Sequence, residues 1–255
     1  MSYELIHLEK DSNIAKIIFD NGPLNILNIP MMKEINKALT ELKSDNSLKA
    51  LILDHKGKAF SAGVDVGDHM GEKTSIMLKE FHQLCKSIIS FESPTIAITR
   101  GAALGGGCEI AIACDMILAS NKAKFGQPEI KVGVFPPVAS ILFPKLLPIK
   151  KAFELIILGE PISAEEAKNL GLINHVFPIE DFEENIENFL NNIKKLSSVV
   201  LKHTKKAILM NLKDDFSNEI DDLEKYYLEK LMATYDANEG LNAFMEKRTP
   251  VWKNE

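Results

Sequence analysis

The 255 residues are 45% apolar and 26% charged, the proportions of a folded chain of one to two domains rather than of a disordered segment or a peptide-sized module. Thirty Lys and Arg against thirty-six Asp and Glu give a formal charge of -6, with neither sign gathered into a block, so no nucleic acid partner is expected. Cys85, Cys108 and Cys114 form an odd, widely spaced set without CxxC, the pattern of reduced thiols in a cytoplasmic protein.

The N-terminal MSYELIHLEKDSN lacks the basic start and apolar run of a signal peptide and reads as a mature start. Ile14–Phe19 and residues 50–53 are predicted strands. Between them Asn28 can cap a helix with Pro30 in its first turn, and Met31, Met32, Ile35, Ala38, Leu39 and Leu42 recur at helical spacing. A Gly-containing turn then leads into the run Lys58 to Asp65, where backbone after Gly63 can offer an N–H donor, or can simply be a turn. Ser61 has no GxSxG context and is not expected to be a nucleophile.

After a predicted strand at Thr95–Thr99, three consecutive glycines, Gly105 to Gly107, open an apolar helix. Glycines there let backbone approach a ligand and leave N–H groups at a helix N-terminus, an arrangement suited to an oxyanion; tight packing alone is the plainer alternative. Glu109 falls in the first turn of that helix, among Ile110, Ala111, Ile112 and Ala113. A carboxylate in such surroundings needs a partner or a raised pKa, and either suits acid/base work; a solvated helix-start Glu is the other reading. The stretch from Gly101 to Ser120 is the most membrane-like. Glu109 and Asp115 inside it would each cost about 2.5–3.5 kcal/mol at a bilayer centre, so no membrane partner is expected.

A strand is predicted at residues 116–119, and Phe125 to Glu129 then brings a second carboxylate beside turn residues. Two carboxylates facing one substrate can divide the roles of acid and base. Ser163 to Glu166 fits a capping box for a short helix over 163–170, stopped by Gly171 and feeding a strand over 172–177. From Pro178 glycine nearly vanishes and helical patterns run from about 180 to 247, where Leu223, Tyr226, Tyr227, Leu231 and Phe244 offer apolar contacts. The six histidines, at 7, 55, 69, 82, 175 and 203, show no HExxH or HxxxH spacing, so no metal is expected, and His175 reads as a structural histidine within a strand.

Pro23-Leu24-Asn25, Phe60 to Asp65, Pro94 to Glu109, Phe125 to Glu129, Gly159 to Ala167, Gly171 to Val176 and Glu239 to Pro250, in this order and spacing, resemble the enoyl-CoA hydratase/isomerase (crotonase) family over almost the whole chain. The resemblance implies an α/β fold: a crotonase-like (ββα) superhelix over 1–195 and a helical C-terminal trimerisation region over 196–255, assembled as a homotrimer or homohexamer. It implies an acyl-CoA substrate and no cofactor beyond that CoA.

By the same resemblance the N–H groups of Val64 and Gly106 form an oxyanion hole. Glu109 activates water, and Glu129 is the acid. Ala62, Val64, Asp65, Val66 and Gly105 contact the CoA thioester, with Phe244 and Lys247 near its nucleotide end, from this subunit or a neighbouring one. Two glutamates make hydration the leading expectation. A Δ3,Δ2-enoyl-CoA isomerase and a non-catalytic or RNA-binding member of the same fold are the rivals.

Where the hydratases usually carry a Gly-rich stretch, this chain has Val134 to Ser140, and Pro137 removes an N–H from the region of the attacking water. Together with Gly22 to Leu27 and the run Phe60 to His69, this loop is similar to a subgroup of the family, the cyclohexa-1,5-diene-1-carbonyl-CoA hydratases. Pro136 and Pro137 are then expected beside a bulkier, cyclic acyl group.

Overall fold

The computed structural model describes residues 3–210 and 216–253. Alternation of short buried strands with amphipathic helices winds the chain into a spiral, each coil laying one strand in each of two sheets. An antiparallel hairpin, β1 (Ile6–Asp11) and β2 (Ile14–Phe19), is followed by α1 (Ile29–Leu42). Three coils follow. The first is β3 (Ala50–His55), β4 (Ala59–Ser61) and α2 (Lys73–Ile89); the second is β5 (Thr95–Thr99), β6 (Ala102–Leu104) and α3 (Gly106–Ala113). The third is β7 (Met116–Ser120), β8 (Lys124–Gly126) and α4 (Pro137–Leu146). Beyond them come α5 (Ile149–Leu158), β9 (Ile162–Ser163), α6 (Ala164–Asn169), β10 (His175–Phe177) and α7 (Phe182–Lys194). The C-terminal helices are α8 (Ser198–Met210), α9 (Phe216–Tyr226) and α10 (Tyr235–Met245).

One sheet has the order β1-β2-β3-β5-β7-β10 and the other β4-β6-β8-β9. Pairing is parallel from β2 to β10 and from β4 to β8. Parallel strands reached by crossovers are covered on both faces, and every residue of β3 is buried, although Asp54 and His55 end it. The core lies between the sheets and α1 to α4, and α7 closes the outer face of the larger sheet with Phe182, Ile186, Leu190 and Ile193.

Local chemistry sets the element ends as expected for α1, where the Asn28 side chain accepts from the Met31 N–H at 2.9 Å and all six periodic apolar residues are buried. The Ser163 hydroxyl likewise caps α6 by accepting from the Glu166 N–H. The strand expected over 172–177 is shorter. Asn174 takes the Ile117 N–H with its side-chain oxygen rather than its carbonyl, so a regular ladder starts only at His175. His175 lies in β10 as expected, where it is exposed and stacks on Phe177 with centroids 5.5 Å apart. Residues 211–215 of the helical stretch expected over 180–247 lie outside the described residues. No helix among the described residues is long and apolar enough to cross a membrane.

Candidate active site

Parallel pairing of β4, β6 and β8 brings three distant sequence motifs to the same edge, because each follows the C-terminal end of one of these neighbouring strands. Val64 follows β4, Gly106 follows β6, and Glu129 follows β8 within a 3-10 turn, Pro128–Val132. A cavity of about 360 Å³ opens where they meet, and Glu109 lines it from α3.

The first donor is held by Pro23-Leu24-Asn25. Asn25 has a left-handed φ of 48° and is fully buried; its amide donates to the Lys56 and Ala59 carbonyls and its oxygen accepts from the Asn21 N–H. This brings Leu27 alongside Val64, with the Leu27 N–H on the Gly63 carbonyl and the Asp65 N–H on the Leu27 carbonyl. Val64 therefore turns its N–H the other way. Ser61 is buried and accepts from the Gly63 N–H at 3.1 Å, so its hydroxyl braces this loop.

The second donor depends on missing side chains. A β-carbon on Gly106 would lie 2.6 Å from Val64 Cγ2, and one on Gly107 would lie 2.5 Å from the Ser61 carbonyl oxygen. Glycine at both positions lets the start of α3 seat against the β4 loop. Among the described residues, neither the Val64 nor the Gly106 N–H donates a backbone hydrogen bond. Two unspent donors, one of them at the N-terminus of α3, favour negative charge.

Both carboxyl groups reach the same cavity. Glu109 is buried, and its Oε1 accepts from the Ala139 N–H at 2.8 Å, with the Val138 N–H also acting on it. These are orphan donors at the start of α4, whose first residue, Pro137, has none. Burial pushes the Glu109 pKa up to about 7, and the two N–H groups restrain the rise. Glu129 is pushed well above the ordinary carboxylate range, first by burial and then by the charge of Glu109. Its partner is Gln127, whose amide nitrogen, oriented as its surroundings require, lies 3.3 Å from both Glu129 Oε2 and the Gly105 carbonyl. At neutral pH such a pair holds one proton more firmly than the other, which is what an acid beside a base requires.

A model of the family described as enoyl-CoA hydratase/isomerase matches residues 9–255. The chain belongs to that family. It is 35% identical to a cyclohexa-1,5-dienecarbonyl-CoA hydratase of Thauera aromatica, over 98% of this chain and 96% of that protein. It is 32% identical to a crotonyl-CoA hydratase of Syntrophomonas wolfei, over 97% of each. Its fold superposes with a TM-score of 0.86 and 25% identity on an enoyl-CoA hydratase crystal structure from Mycobacterium avium subsp. paratuberculosis, over 99% of this chain and all of that one. The fold is thus the crotonase fold.

In this family member, Ala62, Val64, Val66, Gly105, Gly106, Glu109, Glu129, Pro136, Pro137 and Phe244 all line the one cavity. Phe244 stands half-exposed at its rim and belongs to the same chain as the carboxylates. Asp65 and Lys247 do not line it. The Asp65 carboxylate accepts from the Gly67 N–H and caps the 3-10 turn Val66–His69, and Lys247, at a left-handed φ of 55°, ends α10.

His69 and Tyr227 also line the wall, neither with a role assigned to it from the sequence. His69 points one ring nitrogen, Nδ1, at the Asp65 carbonyl at 3.0 Å, and burial lowers its pKa, so the ring is neutral. Tyr227 reaches the cavity from a π-helical turn, Tyr227–Leu231, that continues α9. His69 ends the run Phe60 to His69 but reads there only as a metal ligand without a partner, and Tyr227 reads only as one more apolar contact.

Proposed function

We propose that this protein adds water to an α,β-unsaturated acyl-CoA thioester. The observation that carries the proposal is the convergence of two adjacent, differently perturbed carboxyl groups with two unspent backbone donors in one apolar-walled cavity. The thioester oxygen accepts from Val64 and Gly106 N–H as it gains enolate charge; loss of one such donor costs about 2.7–4 kcal/mol in other enzymes. Glu109, the lower of the pair, takes a proton from water as its oxygen bonds to the β-carbon. Glu129, the more firmly protonated, gives its proton to carbon and restores a neutral thioester.

For the acyl group we infer a cyclic diene, with the proton delivered to the far end of the conjugated system. The loop similarity, the name of the Thauera relative and a wall of Phe135, Pro136 and Pro137 support this reading. The test incubates the purified protein separately with cyclohexa-1,5-diene-1-carbonyl-CoA and with crotonyl-CoA and follows the gain of one water by mass. Hydration of the diene alone is expected. Turnover of crotonyl-CoA alone moves the substrate to linear enoyl groups, and migration of a double bond without mass gain replaces hydration with isomerisation.

A further inference from the structure

We propose that the Tyr227 hydroxyl is a hydrogen-bond donor to the oxygen that is added to the acyl group. The inference rests on the hydration reading and names a residue outside the family motifs quoted above. Tyr227 is 1% exposed, and its hydroxyl has no hydrogen-bond partner among the described residues. A buried hydroxyl left unpaired costs about 1–3 kcal/mol, so such groups are rare unless they serve a ligand. This one belongs to a residue of the cavity wall that carries Glu109 and Glu129.

The start of α4 explains why a donor is needed there. An oxygen poised against Glu109 gives a proton to it, attacks with one lone pair and has a second lone pair to satisfy. At the start of α4, Pro137 has no N–H, and the Val138 and Ala139 N–H groups are turned to Glu109 itself. The first three residues of α4 thus leave no backbone donor for that oxygen. Tyr227 stays protonated because burial, then the charges of Glu129 and Glu109, push its pKa up.

The ring is held in place by packing. The ring meets Phe135 edge-on with centroids 5.1 Å apart, and the Met232 N–H bonds the Tyr227 carbonyl five residues back. That extra residue in the turn is a π-bulge, a distortion that recurs at functional sites.

The test is Tyr227→Phe, which keeps the ring and removes only the hydroxyl, so the thermal midpoint should hold or rise. Dissociation constants are measured by calorimetry for 3-hydroxybutyryl-CoA against butyryl-CoA, and for 6-hydroxycyclohex-1-ene-1-carbonyl-CoA against cyclohex-1-ene-1-carbonyl-CoA. The substitution is expected to weaken the hydroxylated member of at least one pair by about 3- to 10-fold and leave its partner unchanged. Turnover should fall roughly 10- to 100-fold with KM little altered. Equal effects on both members of each pair overturn the proposal whatever turnover does. A wild-type protein that binds the hydroxylated ligands but hydrates neither thioester overturns hydration, and the affinity ratio still decides the role of Tyr227. Binding of none of the four overturns both.

Discussion

Glu109, the base of the proposed hydration, is also a stability liability. Its carboxyl has an ordinary pKa near 4.5 and is held at about 7 in the fold. Between these values the unfolded chain ionises while the native one stays protonated, so native stability is full below pH 4.5, declines towards pH 7 and is flat above. Glu109→Gln keeps an oxygen for the Ala139 N–H and removes the titration. It should therefore stabilise the protein at pH 8 by on the order of 3 kcal/mol and change little at pH 4.5. Urea denaturation at the two pH values checks this, and equal effects at both would remove desolvation as the cause. Activity should follow a bell, rising as Glu109 ionises near pH 7 and falling at higher pH as Glu129 loses its proton, while either glutamate-to-glutamine variant drops turnover by orders of magnitude. Both carboxylates were visible in the sequence as acids in the wrong company, one in an apolar helix and one beside a glycine turn. Their meeting was not, because it depends on strand pairing across twenty residues.

Elements differ in how far their own residues announce them. α1 declares itself through a cap, a first-turn proline and an unbroken apolar stripe, but β4, β6 and β8 have three residues each and no room for a period to show. Those three short strands position the two donors and both carboxylates, so the motifs at their ends are readable while the elements are not. α4 has no such stripe to announce it and carries Pro137 and Pro144, of which the first falls where a helix tolerates proline. Packing between elements leaves a testable trace at Gly240. A β-carbon there would lie 2.5 Å from the Val132 carbonyl oxygen, on the turn that holds Glu129. Gly240→Ala should cost about 1–3 kcal/mol in a melt and lower turnover more than it weakens CoA binding. A destabilised variant with unchanged turnover would show that α10 supports the fold without setting the carboxylate.

At the scale of the molecule, the winding of β4, β6 and β8 assembles the catalytic edge, and the C-terminal helices complete the cavity over it. α9 is tethered to two helices of the core by a histidine–carboxylate hydrogen bond and two ion pairs. The His82 imidazole, 2% exposed, holds Glu224 at 2.6 Å, Lys86 holds Asp221 at 2.5 Å, and Lys145 holds Glu219 at 2.7 Å. Glu239, whose carboxylate is drawn down to about 2 chiefly by its hydrogen bonds to Arg248, ties α10 to the tail after it. Each exposed pair is worth only about 0.2–1 kcal/mol, so the cover is held less firmly than the buried strands beneath it. The double variant Glu219→Lys/Asp221→Lys sets like charges against Lys145 and Lys86. Amide exchange over residues 216–231 should rise about 10-fold, and KM should rise with it, because Tyr227 and Phe244 form part of the cavity wall. β3, β5 and β7 lie in the other sheet, buried beneath α7, and their protection should not move. Faster exchange in those strands too would mean that the ion pairs hold the fold as a whole, and an unchanged rate over 216–231 would mean that apolar packing alone keeps the cover in place.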